Sequence, residues 1–114
     1  MYGKIDRKTL KQKLDNNEDV KLIEVLMPKP FEQLHIKGAI NIPLNTIGKE
    51  ASSRFNKDDF LVVYCADKDC QASPKAAEKL DTFGFTNVWD YEGGKKDWAD
   101  AGYPVEGSSA CIPE

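Results

Sequence analysis

The 114-residue chain is 40% hydrophobic and 31% charged, which supplies one core and leaves too little length for two domains. Its formal charge of −3 comes from interspersed acids and bases with no basic patch, which argues against a nucleic-acid partner. No leader-like N-terminus and no apolar run of membrane-spanning length stand out, so a soluble, cytoplasmic protein without membrane contact is expected.

Asp6 is placed to cap a first helix with Leu10 and Leu14 on its apolar face, and Asn16-Asn17 ends it. Val20 to Val25 reads as a strand, stopped by Pro28 and Pro30. A helical turn over Phe31 to Leu34 and a strand over Ala39 to Ile42, closed by Pro43, come next. Leu44 to Arg54 has a loose helical pattern, and Asn56 to Asp59 is a polar turn. The run Phe60-Leu61-Val62-Val63-Tyr64 shows no polar alternation, so it suits a central strand covered on both faces, as in a parallel sheet. Ser73-Pro74 reads as an N-cap followed by proline at the first helical position, and Ala76, Ala77, Leu80 and Phe83 supply that helix's buried face up to Gly84. Asn87 to Tyr91 is a strand, Gly93-Gly94 a tight turn, and Lys95 to Ala101 a last helix before Gly102. The pattern predicts a small α/β domain over 1–106, with a central, mostly parallel sheet and helices on both faces, and a loose tail over 107–114.

Three cysteines form an odd set in a chain able to build a core without staples, so free thiols are expected in place of a disulfide framework. Cys65 ends the most buried strand. Ligands of such sheets bind outside the carboxyl ends of the strands, where loop amides and the next helix N-terminus favour a thiolate. Position alone leaves two readings: a nucleophile held among amide donors, or a small buried hydrophobe.

Val63-Tyr64-Cys65, Ala76-Ala77, Gly84-Phe85, Asn87-Val88, Glu92-Gly93-Gly94, Trp98 and Gly102-Tyr103-Pro104-Val105 together resemble the C-terminal half of a single-domain rhodanese. Leu22 to Val25, Phe31, His35-Ile36, Gly38-Ala39 and Ile40 to Pro43 resemble the first half. This resemblance implies a sulfurtransferase that carries sulfane sulfur as a persulfide on Cys65. It also implies a substrate-binding loop of Ala66, Asp67, Lys68, Asp69, Cys70, Gln71, Ala72 and Ser73. The implied partners are a small sulfur donor and a thiol acceptor, or a protein that exchanges persulfide sulfur; no cofactor is implied. Relatives commonly read Asp-Val-Arg where this chain has Glu24-Val25-Leu26, keeping the acid and losing the cation. Many also carry a loop arginine or lysine, whereas this slightly longer loop holds two acids and one base, which argues against thiosulfate as donor.

Two other classes remain in view: a non-catalytic rhodanese-type module that binds a protein or senses sulfide, and an oxyanion enzyme of the phosphatase or arsenate reductase kind. The second calls for a loop arginine, and Ala66 to Ser73 contains none. Cys70 is preferentially read as a tolerated loop cysteine facing solvent, because a disulfide demands close Cβ atoms. The competing reading is a resolving thiol that takes over the sulfur or pairs with Cys65 on oxidation. The spacing of Cys65 and Cys70 is too wide for a Cys-x-x-Cys redox pair, and a zinc site is not expected. His35 is read as a packed, hydrogen-bonded residue, Cys111 as an exposed bystander, and Trp89, Tyr91 and Trp98 as core aromatics. Gly93-Gly94 lacks the dinucleotide pattern.

Overall fold

The computed structural model of the protein describes residues 2–108. Strand β1 (Gly3–Lys4) leads into helix α1 (Arg7–Asp15), where Asp6 Oδ1 accepts the Thr9 amide at 2.8 Å and satisfies one of the helix's open N–H groups. Strand β2 (Val20–Glu24), helix α2 (Pro28–Gln33), strand β3 (His35–Ile36) and strand β4 (Ile40–Asn41) follow. A 3-10 turn (Leu44–Thr46) then runs into helix α3 (Ile47–Arg54). The second half comprises strand β5 (Phe60–Tyr64), helix α4 (Ala72–Thr82), strand β6 (Val88–Asp90), helix α5 (Gly94–Asp100) and strand β7 (Val105–Glu106).

Five strands form a parallel sheet in the order β1-β6-β5-β2-β4. The continuous apolar run therefore lies at its centre, with Leu22 opposite Val62 on one side and Val62 opposite Trp89 on the other. Because side chains alternate across a strand, β5 sends Leu61, Val63 and then Cys65 into one core and Val62 and Tyr64 into the other. The first core is mainly aliphatic, with Phe85 as its one fully buried aromatic among the described residues, and is covered by α3 and α4 through Ile47, Ala51, Ala76, Ala77 and Leu80. The second adds Leu10 of α1, Tyr91, and Trp98 of α5. Each fully buried aliphatic or aromatic side chain contributes roughly 1.5–3 kcal/mol relative to exposure. The sheet is thus anchored from both faces at β5, and the residue following β5 is held where its two neighbours end.

Several boundaries differ from the sequence expectation. Helix α4 starts at Ala72, so Ser73 and Pro74 lie inside its first turn and Ser73 is no cap. The first turn has no intrahelical N–H partners to lose, which is why proline is tolerated there. Ser73 is buried instead, facing Cys65. Phe83 is 47% exposed, since the helix ends at Thr82 and the ring swings out to lie over Gly48. The helical turn predicted at Phe31 starts earlier, at Pro28, again with proline in the first turn. Strands β1, β3 and β7 were not anticipated; β3 and β7 form a separate antiparallel ribbon pairing Ile36 with Val105. The beginning of the expected loose tail is tied down, with the Ser108 amide donating to Glu32 O at 2.9 Å. Cys111 lies outside the described residues.

Candidate functional site

Cys65 leaves the carboxyl end of β5 with 1% of its surface exposed, and the chain from Ala66 to Gln71 then loops to the start of α4. The loop is pinned at its root by α5. The Lys95 amide donates to Cys65 O at 3.0 Å and the Lys96 amide to Ala66 O at 2.9 Å. Gly94 makes this approach possible: with φ at +72°, a Cβ there would sit 2.6 Å from Cys65 O, 2.7 Å from Asp67 N and 2.8 Å from Ala66 C. The sequence marked Gly94 as a turn residue. Its role as the seat of the cysteine loop depends on packing that no local pattern reveals.

Beyond its root the loop turns back on itself. Asp67 Oδ1 accepts the Asp69 amide at 3.0 Å, and Asp67 O accepts the Cys70 amide at 3.2 Å. These bonds make a local Asx-type turn, so two of the loop's amides serve the loop and not a ligand. The turn brings Cys70 over Cys65. Their Cα atoms are 6.3 Å apart and their sulfurs are joined as a disulfide. Cys70 is half-buried and packs against the aliphatic core, which corrects the expectations of a solvent-facing residue and of free thiols. The Asx turn supplies the close approach that a splayed loop would lack.

Of the other loop residues, Lys68, Asp69 and Gln71 are exposed, while Ala66, Asp67 and Ala72 are half-buried. Asp67, Lys68 and Asp69 line one wall of a cleft of about 250 Å³ whose other wall is Gly93, Lys96, Asp97 and Asp100. Four carboxylates face two ammonium groups there. Lys96 is already engaged with Asp100 at 3.0 Å, and Asp97 with Arg7 at 2.9 Å and the Tyr91 hydroxyl at 2.6 Å.

Ser73 is a buried polar neighbour of Cys65, and Asp90 is in turn a neighbour of Ser73. Ser73 Oγ is 3.6 Å from Cys65 Sγ, within hydrogen-bond reach of the sulfur. Asp90, at the end of β6, is buried with no hydrogen-bond partner on either carboxylate oxygen. Burial pushes its carboxyl above the ordinary range, and the neighbouring Ser73 hydroxyl offsets only part of this. A single hydroxyl proton cannot serve sulfur and carboxylate together. Asp90 escaped the sequence reading because an acid at a strand end is ordinarily exposed.

On the opposite face, Glu24 Oε2 meets Lys95 Nζ at 3.0 Å, and the same ammonium donates to Pro30 O at 3.0 Å and Leu34 O at 2.6 Å. The cation missing after Val25 is therefore supplied by α5. His35 stacks on Phe31 at 3.9 Å, with Nδ1 2.7 Å from Phe31 O and Nε2 3.3 Å from Glu106, in the antiparallel ribbon and away from the cysteine loop. Trp98 and Tyr91 are core aromatics, whereas Trp89 is half-buried beside Phe60.

Comparison with known proteins gives this geometry its relatives. A Sulfurtransferase of Allochromatium vinosum is 31% identical over 105 residues, covering 92% of this chain and 95% of that protein. Thiosulfate sulfurtransferase PspE of Escherichia coli is 37% identical over 78 residues, covering 68% of this chain and 72% of its own length. The chain spans about half of another relative, YrkF of Bacillus subtilis, at 49% of its length. Among solved structures, the rhodanese-like domain of Anabaena Alr3790 superposes with a TM-score of 0.87 at 28% identity, covering 100% of this chain and 86% of that one. BH2092 of Bacillus halodurans gives the same TM-score and identity, covering 94% and 78%. The relatives named sulfurtransferases support a sulfur-transfer role for the family. The family model described as Rhodanese-like domain matches residues 6–101, nearly the whole described fold, and the chain belongs to that family.

Proposed function

We propose that the chain is a sulfurtransferase that moves sulfane sulfur through a persulfide on Cys65. The observation that carries this reading is the position of Cys65, buried at the carboxyl end of the central strand and ahead of the N-terminus of α4. The helix dipole and the Ser73 hydroxyl favour negative sulfur there. A thiol reductant first opens the Cys65–Cys70 pair. The Cys65 thiolate then attacks the outer sulfur of a donor R–S–SH, the donor's S–S bond breaks, and R–S⁻ leaves. An acceptor thiolate attacks the sulfur now held on Cys65, the Cys65 Sγ–S bond breaks, and the thiolate returns. No cofactor takes part. A small thiol or a protein thiol serves as acceptor, and the thiol-rich cytoplasm is the compartment this chemistry suits.

The test is mass spectrometry of the reduced, polysulfide-treated protein with peptide mapping. One added sulfur on Cys65 is expected, and Cys65→Ser is expected to show neither that added sulfur nor sulfur transfer. A Cys65→Ser protein with full transfer activity overturns the reading. A wild-type chain that takes up no sulfur also overturns it and favours a non-catalytic binding module.

The acidic cleft further sets donor preference toward an organic polysulfide or a persulfidated thiol, with at most one negative charge on the sulfur chain, over dianionic thiosulfate. Each like-charge contact at a few ångströms costs on the order of 1 kcal/mol in water. Asp67→Asn with Asp69→Asn is expected to raise activity with thiosulfate selectively, and more so at low salt, in a side-by-side assay of both donors.

A further inference from the structure

We infer that Cys70 is a resolving nucleophile that converts a Cys65 persulfide into the Cys65–Cys70 disulfide and free sulfide. This gives the site a second outcome besides transfer, persulfide reduction, and it rests on the persulfide reading of Cys65.

The inference starts from which sulfur each nucleophile can reach. In the disulfide-closed loop Cys65 is 1% exposed, and Cys70 is the residue bonded to its sulfur. An external acceptor meets the outer sulfur of a persulfide, and its attack there transfers that atom. Cys70 approaches from inside. The turn built on Asp67 and the packing of Cys70 against the aliphatic core set its sulfur directly on Cys65 Sγ, the inner sulfur. Attack at that atom does not transfer sulfur; it expels it.

The step balances without another reactant. The Cys70 thiolate attacks Cys65 Sγ, the new Sγ–Sγ bond forms, the bond from Sγ to the outer sulfur breaks, and HS⁻ leaves with the electron pair. The sulfane sulfur is reduced to sulfide while the two cysteines are oxidised to the disulfide. A dithiol reductant, or two equivalents of a small thiol, then restores both thiols. Low acceptor concentration favours release, and high acceptor concentration favours transfer.

The experiment uses the full chain, reduced, treated with inorganic polysulfide and rapidly desalted, with no thiol added afterwards. Sulfide release is followed by a sulfide electrode, and persulfide and disulfide by intact mass and peptide mapping. In the wild type, persulfide on Cys65 should decay while sulfide and the Cys65–Cys70 disulfide appear in equal amounts. Per loaded molecule, Cys70→Ser should release sulfide at least about tenfold more slowly, because the oriented internal nucleophile is gone. Cys70→Ala guards against an effect of the serine hydroxyl, and thermal melts of the reduced proteins check that both variants fold. A loaded wild type that keeps its persulfide as long as Cys70→Ser overturns the inference while leaving the transfer reading intact. A wild type that forms neither the Cys65 persulfide nor sulfide with the Cys65–Cys70 disulfide overturns both.

Discussion

Among the described residues each face of the sheet buries one carboxylate, and the two faces treat it differently. Glu24, on the face with Leu22 and Tyr64, is 0% exposed and holds Lys95 through Oε2. Asp90, on the face with Val88 and Ser73, is buried with neither oxygen partnered. Desolvation pushes both carboxyls above their ordinary range, opposed by Lys95 in one case and by Ser73 in the other. The paired acid is a tie: its ammonium also satisfies two carbonyls of α2 and its C-cap, while the same residue's amide holds the root of the cysteine loop. The unpaired acid is a cost placed beside Ser73, which in turn faces Cys65.

Removing the cation should break the tied face most severely. Lys95→Met keeps the apolar stem but leaves a buried carboxylate and two carbonyls unserved, and the expected loss is about 3–5 kcal/mol in urea unfolding. Glu24 can then shed its charge by taking a proton, so the deficit should shrink as pH falls; a deficit independent of pH would mean that the stem, and not the charge, mattered.

Gly94→Ala tests whether the loop is seated from the tied side. Its Cβ would press on backbone atoms of residues 65 to 67 in a left-handed conformation, with an expected cost of about 1–2 kcal/mol. Alkylation of Cys65 in the reduced protein should accelerate by more than the stability loss accounts for.

Asp90→Asn should have the smallest effect and the opposite sign. The folded carboxyl holds its proton above the unfolded value of 3.8, so the wild type loses stability as pH rises from that value through the raised folded pKa, and the loss persists above it. Lys4, Glu92 and Ser73 bear on this carboxyl as well, and all remain in the variant. Asparagine carries no charge to bury, so it should be more stable than the wild type at neutral pH by about 1.4 kcal/mol for each tenfold weakening of Asp90 ionisation. The gain should vanish below pH 3.8. A stability profile parallel to that of the wild type would place the cost elsewhere.

The sequence made the central strand, Cys65 and the helix after the loop legible because each has a local cause: an unbroken apolar run, its end, and a helical apolar face. Two-residue strands such as β1, β3 and β7 are shorter than any period, so no pattern announced them. The Glu24–Lys95 pair joins residues 71 apart in the chain, and neither one's neighbours predict the other. The inward turn of Cys70 has a subtler cause: the Asp67 carboxylate accepts the Asp69 amide, a local bond that the charge pattern of the loop does not announce. Phe83 satisfies the helical spacing, but α4 stops one residue before it.

The short rims of the sheet carry a consequence for handling the protein at high concentration. The segment Phe60–Tyr64 is apolar, β-branched and uncharged, the composition that assembles into fibrils when its edges are free. It lies between β2, which pairs all five of its residues, and β6, which pairs Leu61 to Val63, and the strands that do form the rims, β1 and β4, are two residues long. Neither rim offers enough unpaired backbone to recruit a second sheet, so the folded chain resists edge-to-edge aggregation even though its central strand is a strong template. Aggregation would then track the fraction of unfolded molecules.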